Sequence, residues 1–117
     1  MSDTLEAALA ALTALHPKKI DLGLERIERV LKALDNPHHK LPPTVHIAGT
    51  NGKGSTVAFL RTMAEAQGLT AHVYTSPHLV HFRERIVLGS KEIGDDTLID
   101  VLHRVREANA GAPLSFF

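Results

Sequence analysis

The sequence contains no cysteine and no tryptophan, and its aromatic residues are one tyrosine and four phenylalanines. Without cysteine the chain can form neither a disulfide nor a thiolate site. Its 13 basic and 13 acidic residues balance, so nothing predicts a broad nucleic-acid or membrane surface. No apolar run approaches the roughly 20 residues of a membrane span, and the acidic, alanine-rich start is no signal peptide. These absences predict a cytoplasmic protein, and the length of 117 residues allows one domain at most.

What the sequence does contain is a glycine-rich loop, Gly49-Thr-Asn-Gly-Lys-Gly-Ser55, between a β-branched run and a helical pattern. Glycines let backbone N–H groups turn toward an anion, and the helix start aims its positive end at the same point. Lys53 adds a full charge. The standard G-x-x-x-x-G-K-[ST] pattern does not fit, because Ile47 and Gly54 occupy its first and last positions. The loop still predicts a phosphate cradle. The alternative is a glycine-rich turn that binds nothing, but a lysine flanked by two glycines would have no packing role there.

Helical spacing predicts a helix from Asp3 to Leu15, a second with the stripe Leu24, Ile27, Leu31 and Leu34, a third over 54–67 and a fourth capped by Asp95 or Asp96. Strands are predicted at 44–48 and 70–74, and a hairpin over 84–93 around Gly89-Ser90. The two strands and the helix between them predict a right-handed parallel βαβ unit. Parallel sheets normally have more strands, so the pattern indicates the front of a larger protein.

The loop resembles the ATP loop of the Mur ligase superfamily, and its glycine after the lysine resembles the branch of folylpolyglutamate synthase and dihydrofolate synthase. Further segments match in the family's order: Asp21-Leu-Gly-Leu24, Tyr74-Thr-Ser-Pro-His-Leu79, Phe82-Arg-Glu-Arg-Ile86 and Ser115-Phe-Phe117. The resemblance implies an α/β fold, with the P-loop-type parallel sheet flanked by helices of the Mur ligase central ATPase domain. It also implies that residues 1–117 are the N-terminal portion of that domain, with its remainder and the C-terminal domain absent.

The family's reaction is the ATP-dependent addition of L-glutamate to dihydropteroate or folate through an acyl phosphate, with ATP and Mg²⁺. By resemblance, Lys53 is catalytic and Ser76 is a magnesium ligand. ATP is bound by Gly49, Thr50, Asn51, Gly52, Lys53, Gly54 and Ser55, and the pterin portion of the substrate by Asp21, Leu22, Gly23, Leu24, Ser115, Phe116 and Phe117. Two of these residues have structural alternatives. Asp21 could be a helix N-cap with Gly23 in the first turn, and Ser76 could belong to a simple Ser-Pro turn.

The implied partners are small molecules, with no nucleic acid and no membrane. A full-length relative is expected to be a monomer, whereas this chain alone is expected to be inactive and to associate through its exposed sheet. A non-catalytic nucleotide-binding module and a peptidoglycan-precursor amino acid ligase are the alternatives. Preference for dihydropteroate or folylpolyglutamate stays open. Arg83 and Arg85 alternate along a predicted strand without an assigned role, and no histidine has zinc-like spacing.

Overall fold

A computed structural model of the protein describes residues 4–16 and 23–114. The predicted site residues Asp21, Leu22 and 115–117 lie outside the described part. The chain divides into two compact units, one comprising Met1–Pro43 and Asp96–Phe117 and the other Thr44–Asp95. The first unit is helical, and the second contains the sheet and the glycine loop.

The first unit contains helices α1 (Leu5–Thr13), α2 (Glu25–Ala33) and most of α4 (Asp95–Asn109), with a 3-10 turn, η1, at Pro37–Lys40. The predicted first helix is present, and its N-cap is Thr4, whose hydroxyl accepts a hydrogen bond from the amide of Ala7 at 3.1 Å. Helix α4 begins at Asp95, close to the predicted start. The buried residues of this unit, Ala8, Val30, Leu98 and Asn109, come from all three α-helices, so a small core joins them.

Helix α2 corrects one interpretation of the sequence. It begins at Glu25, with Leu24 as its N-cap and no side-chain hydrogen bond at that position. Gly23 therefore precedes the first turn, and the alternative role of Asp21 as the cap of this helix is wrong. The helix needs no such cap, because Glu25 and Glu28 in its first turn and Lys32 in its last complement the helix dipole.

The second unit contains helix α3 (Lys53–Ala66), a 3-10 turn η2 (Phe82–Arg85) and three short strands, β1 (Val73–Tyr74), β2 (Ile86–Leu88) and β3 (Lys91–Glu92). The strands follow the order β1-β2-β3 and both pairings are antiparallel, with Val73 opposite Val87 and Leu88 opposite Lys91. Gly89, at a φ of 67°, forms the turn between β2 and β3. The predicted hairpin is confirmed, but it starts at Ile86 rather than Glu84.

The predicted strand at 44–48 is not formed. These residues pair with no strand of the described part of the chain, and Val45 is 74% exposed. The predicted strand at 70–74 is reduced to two residues that pair with β2, so the described residues contain no parallel βαβ unit. The physical reason is that a strand exists through its neighbour's hydrogen bonds, and no strand among residues 23–114 lies beside 44–48.

Helix α3 matches its prediction to within one residue at each end. Its stop is a Schellman motif: Gly68, at a φ of 81°, donates its amide to the carbonyl of Glu65, and Leu69 donates to Ala64, both at 3.0 Å. None of its side chains is buried, and Phe59 is 69% exposed. Arg61 joins the helix to the hairpin, because its guanidinium donates to the carbonyl of Gly89 at 3.2 Å.

Candidate functional site

The glycine loop has the backbone geometry that its composition predicts. Gly49 has a φ of 147° and Gly52 a φ of 75°, both in the region that favours glycine. A Cβ built at Gly49, Gly52 or Gly54 would meet no atom within 4 Å. Backbone conformation rather than packing therefore calls for Gly49 and Gly52, and the space above the loop is open. Backbone amides on such an open loop are accessible to an anionic ligand.

The loop leads directly into the N-terminus of α3. Gly52 is the N-cap, and its carbonyl accepts both the amide of Thr56 at 3.0 Å and the hydroxyl of Thr56 at 2.9 Å. No side chain of Gly52 can cap the helix, and its first turn contains no acidic residue. The amides of residues 53–55 have no intrahelical acceptor, so they are available to a phosphate along with the positive end of the helix dipole.

Lys53 is the first residue of α3, and it is exposed. Among the salt bridges of residues 23–114 none involves Lys53. Its ammonium group is thus not committed to a carboxylate of the described chain. A mobile cation beside uncapped amides suits the recognition of a polyphosphate.

Ser76 lies just after β1. The amide of Thr75 donates to the carbonyl of Arg85 at 2.8 Å, which extends the β1–β2 pairing to the residue before Ser76. The Ser76 side chain is exposed. Within residues 4–16 and 23–114, no group of three or more histidine, aspartate and glutamate side chains could hold a metal ion. A lone hydroxyl fits only a cation such as Mg²⁺ that keeps waters and shares phosphate oxygens, so the assignment of Ser76 stays a prediction.

Arg83 and Arg85 do not alternate along a strand, because both belong to the 3-10 turn η2. Arg83 is paired with Asp95 at 3.2 Å and with Glu92 at 3.6 Å. Arg85 donates from Nε to Nδ1 of His78 at 2.8 Å, and its guanidinium lies 4.9 Å from the centre of the Phe82 ring. Within the described part of the chain the role of both arginines is therefore structural. Arg83 holds the segment that contains Glu92 and Asp95, and Arg85 holds His78.

Between the two arginines, Glu84 is a residue that the sequence reasoning missed. Its carboxylate accepts the amides of Leu79, Val80 and His81. The signal was present in the sequence, since an acidic residue at the third position of a helical turn often binds the amide at its start. A strand predicted to start at residue 84 has no such turn, so that prediction conceals the contact.

The two predicted pterin-binding segments are flanked by described residues that meet in the first unit. The amide of Leu114 donates to the carbonyl of Leu15 at 3.1 Å. Arg29, on α2, donates to the backbone carbonyl of Asn109 at 3.0 Å, to its Oδ1 at 2.7 Å and to the carbonyl of Pro113 at 3.1 Å. Gly23 and Leu24 are exposed. These contacts bring Leu15 and Arg29 next to residues 113–114.

None of the described helices is long and apolar enough to cross a membrane. No protein-family model matches the chain. Several known proteins and solved structures do match it. The dihydrofolate synthase/folylpolyglutamate synthase of Haemophilus influenzae is 41% identical over 88 residues, which cover 75% of this chain and 20% of the relative. The protein of the same name from Escherichia coli is 35% identical over 113 residues, 97% of this chain and 26% of the relative.

Among solved structures, Escherichia coli FolC in complex with DHPP and ADP superimposes with a TM-score of 0.83 at 34% identity, over 99% of this chain and 28% of that one. The Yersinia pestis bifunctional folylpolyglutamate synthase/dihydrofolate synthase, complexed with AMPPNP and Mn ion, gives a TM-score of 0.77 at 34% identity, again over 99% and 28%. The chain thus spans about a quarter of the length of these relatives.

An open glycine loop at the N-terminus of α3, together with these superpositions, places the chain in the Mur ligase fold class, as the α/β resemblance implied. Within this class, the chain is homologous to the folylpolyglutamate synthases and dihydrofolate synthases. The parallel sheet expected from that class is not completed by the described residues, whose own strands are antiparallel.

Proposed function

We propose that this chain provides the phosphate-binding loop and part of the pterin site of an ATP-dependent ligase that adds L-glutamate to dihydropteroate, folate or both. The observation that carries the proposal is the glycine loop before the N-terminus of α3, which has no side-chain cap. It occurs in a chain that is 35% identical to the E. coli synthase over 113 residues. Solved relatives carry ADP, or AMPPNP with Mn ion and L-glutamate. A nucleotide, a divalent cation and an amino acid are what such a ligation requires.

In the proposed reaction, a carboxylate oxygen of the pterin substrate attacks the γ-phosphorus of ATP and ADP leaves. The amino group of glutamate then attacks the acyl carbon and displaces phosphate, which forms the amide. The loop 49–55 would hold the β- and γ-phosphates through its amides, and Lys53 would neutralise charge that builds up on the transferred group. The catalytic advantage comes from positioning and electrostatics, because the protein forms no covalent bond to the substrates.

Mg²⁺ would supply further charge neutralisation on the phosphates when bound, and Ser76 is the described residue proposed to contribute to its shell. An exposed hydroxyl at the end of β1 suits this ion better than softer metals, because Mg²⁺ prefers oxygen ligands and retains several waters. The pterin portion is assigned to residues 21–24 and 115–117. The contacts of Arg29 and Leu114 with the flanking chain support that assignment.

We further propose that residues 1–117 correspond to the N-terminal portion of the ATP-binding domain of such a ligase. The proposed substrates and activity then belong to the whole enzyme, of which this chain is one part. A peptidoglycan-precursor ligase is less well supported, since Gly54 and the Asp-Leu-Gly-Leu segment match the folate branch.

Lys53→Ala tests the proposal. The variant is made in the chain itself, where ATP binding is followed by NMR titration, and in a chimera in which this chain replaces the matching residues of the E. coli synthase. Turnover of dihydropteroate, ATP and glutamate by the chimera should fall by about 100-fold or more, because one desolvated charge on the transferred group is worth about 3 kcal/mol. The melting temperature should hardly change, because Lys53 is exposed. Retained turnover in the variant would refute the role of the loop.

A matched control is Lys91→Ala, which removes a lysine from β3, away from the glycine loop in sequence. A chimera that turns over muramyl substrates but no pteroate would favour the peptidoglycan alternative. A nucleotide-binding module would be favoured if the isolated chain were a monomer that binds ATP tightly and the chimera had no ligase activity.

A further inference from the structure

The loop of residues 76–81, between β1 and η2, is not held by burial of its side chains. Leu79 is 92% exposed and Val80 is 73% exposed. His78 is only partly buried, and no residue of the loop belongs to the core. A surface loop without buried side chains has many conformations of similar energy, unless hydrogen bonds select one of them.

Both ends of this loop are bound by the last two residues of η2. Glu84 Oε1 accepts the amide of Leu79 at 3.0 Å, and its Oε2 accepts the amides of Val80, at 2.9 Å, and His81. At the other end, the carbonyl of Arg85 accepts the amide of Thr75 at 2.8 Å. Ser76 therefore lies between two anchors that η2 provides. We call the Glu84 anchor the carboxylate clasp.

The clasp consists of charge-assisted hydrogen bonds, which are stronger than those between neutral groups. The amides of His81, Leu79 and Val80, in that order of effect, lower the pKa of Glu84 to about 2. The carboxylate is thus ionised near neutral pH. Because N–H donors already engage both of its oxygens, the clasp geometry does not present Glu84 as a ligand to a cation. Its effect on the site must be indirect.

We propose that Glu84 is a positioning residue for the divalent cation that accompanies ATP, acting by holding the 76–81 loop so that Ser76 keeps one orientation. The inference rests on the proposed function, in which Ser76 contributes to that cation's shell. A pre-ordered ligand loses less conformational freedom when the ion binds, so a held Ser76 binds more tightly than one on a loose loop. Such outer residues commonly affect metal affinity through the ligands they orient.

The experiment measures Mn²⁺ binding, in the presence of saturating ATP, to the chain and to its Glu84→Gln and Ser76→Ala variants, with the double variant completing a cycle. NMR amide signals report the loop, and their broadening by Mn²⁺ reports the affinity. Glu84→Gln removes the charge but keeps the side-chain size. Glu65→Gln is the matched control, because Glu65 is another solvent-accessible glutamate of the same unit, and its carboxylate is paired with Arg61 instead of with backbone amides. Glu84→Asp, which keeps the charge, is the second variant.

We expect Glu84→Gln to weaken Mn²⁺ binding about tenfold and to speed hydrogen exchange of the amides of residues 79–81. ATP-induced shifts of residues 52–55, recorded without Mn²⁺, should be retained. The double variant should bind Mn²⁺ no more weakly than Ser76→Ala alone, because Glu84 acts only through Ser76. Glu84→Asp should fall between the wild type and Glu84→Gln, and Glu65→Gln should match the wild type.

Two results would overturn the inference while leaving the proposed function intact. One is wild-type Mn²⁺ affinity in Glu84→Gln. The other is a double variant whose loss equals the sum of the single losses, because a general structural effect would add independently of Ser76. If the wild-type chain binds ATP but no Mn²⁺, the assignment of Ser76 fails, and the inference fails with it. Should Glu84→Gln lose its folded spectrum, an equally unfolded Glu84→Asp would show that the residue acts on the whole unit and contradict a positioning role.

Discussion

Asn109→Ala is the change whose consequence follows most directly from the structure. Asn109 is fully buried, at 0% exposure. Its Oδ1 accepts a hydrogen bond from Arg29 at 2.7 Å, and its Nδ2 donates to the carbonyl of Ala112 at 2.7 Å. The charged bond is worth about 1.5–3 kcal/mol and the neutral one about 1 kcal/mol. Arg29 can turn partly to water, which offsets some of the loss, so we expect unfolding to become easier by about 2–3 kcal/mol.

Urea unfolding followed by far-UV circular dichroism measures this change, with Asn51→Ala as the control. Both variants remove the same side chain, but Asn51 is exposed on the glycine loop and should alter stability by no more than about 0.5 kcal/mol. A loss of about 2–3 kcal/mol is a large share of a total stability of about 5–15 kcal/mol. If Asn109→Ala cost less than about 1 kcal/mol, the contacts of Asn109 would not stabilise the first unit as argued.

Two further predictions concern the site. Asp21→Ala in the chimera should raise the KM for the pterin substrate and leave the KM for ATP unchanged. It should cost little stability, because Leu24 is the N-cap of α2. A normal KM for the pterin substrate would contradict the assignment. Glu84 has a folded-state pKa of about 2, below its ordinary value of 4.5, so its stabilising effect should be complete above about pH 4.5 and vanish as the pH falls through 2. Melting curves of wild type and Glu84→Gln should accordingly differ by a constant amount from pH 5 to 7 and converge only as the pH falls through about 2. A difference that disappears already at pH 5 would show a weaker clasp.

Helix α3 gives the second unit an exposed apolar surface. Helix α3 buries no side chain, and its residues Phe59 and Met63 are 69% and 57% exposed. Exposed apolar groups of this size favour association, so we expect the chain by itself to associate. Light scattering of the purified chain measures this.

Local chemistry made several features predictable. Gly49, Gly52 and Lys53 specify a loop and a helix start by residue type, because glycine, which has no Cβ, adopts a positive φ such as the 75° of Gly52 without steric cost. Gly68 ends α3, and Gly89 turns the hairpin, for the same reason. The motifs on these elements also carried the resemblance to the folate ligases.

Tertiary structure decided what depends on partners distant in sequence or outside the described residues. The β-branched run at 44–48 has strand propensity, but no strand among residues 4–16 and 23–114 pairs with it, so the predicted strand is not formed. Arg29 and Asn109 are 80 residues apart, and no local pattern links them. The carboxylate clasp of Glu84 exists because residues 82–85 form a 3-10 turn instead of continuing β2. Residue type fixes a local backbone preference, but hydrogen-bond partners across the chain are set only when the segments meet in space.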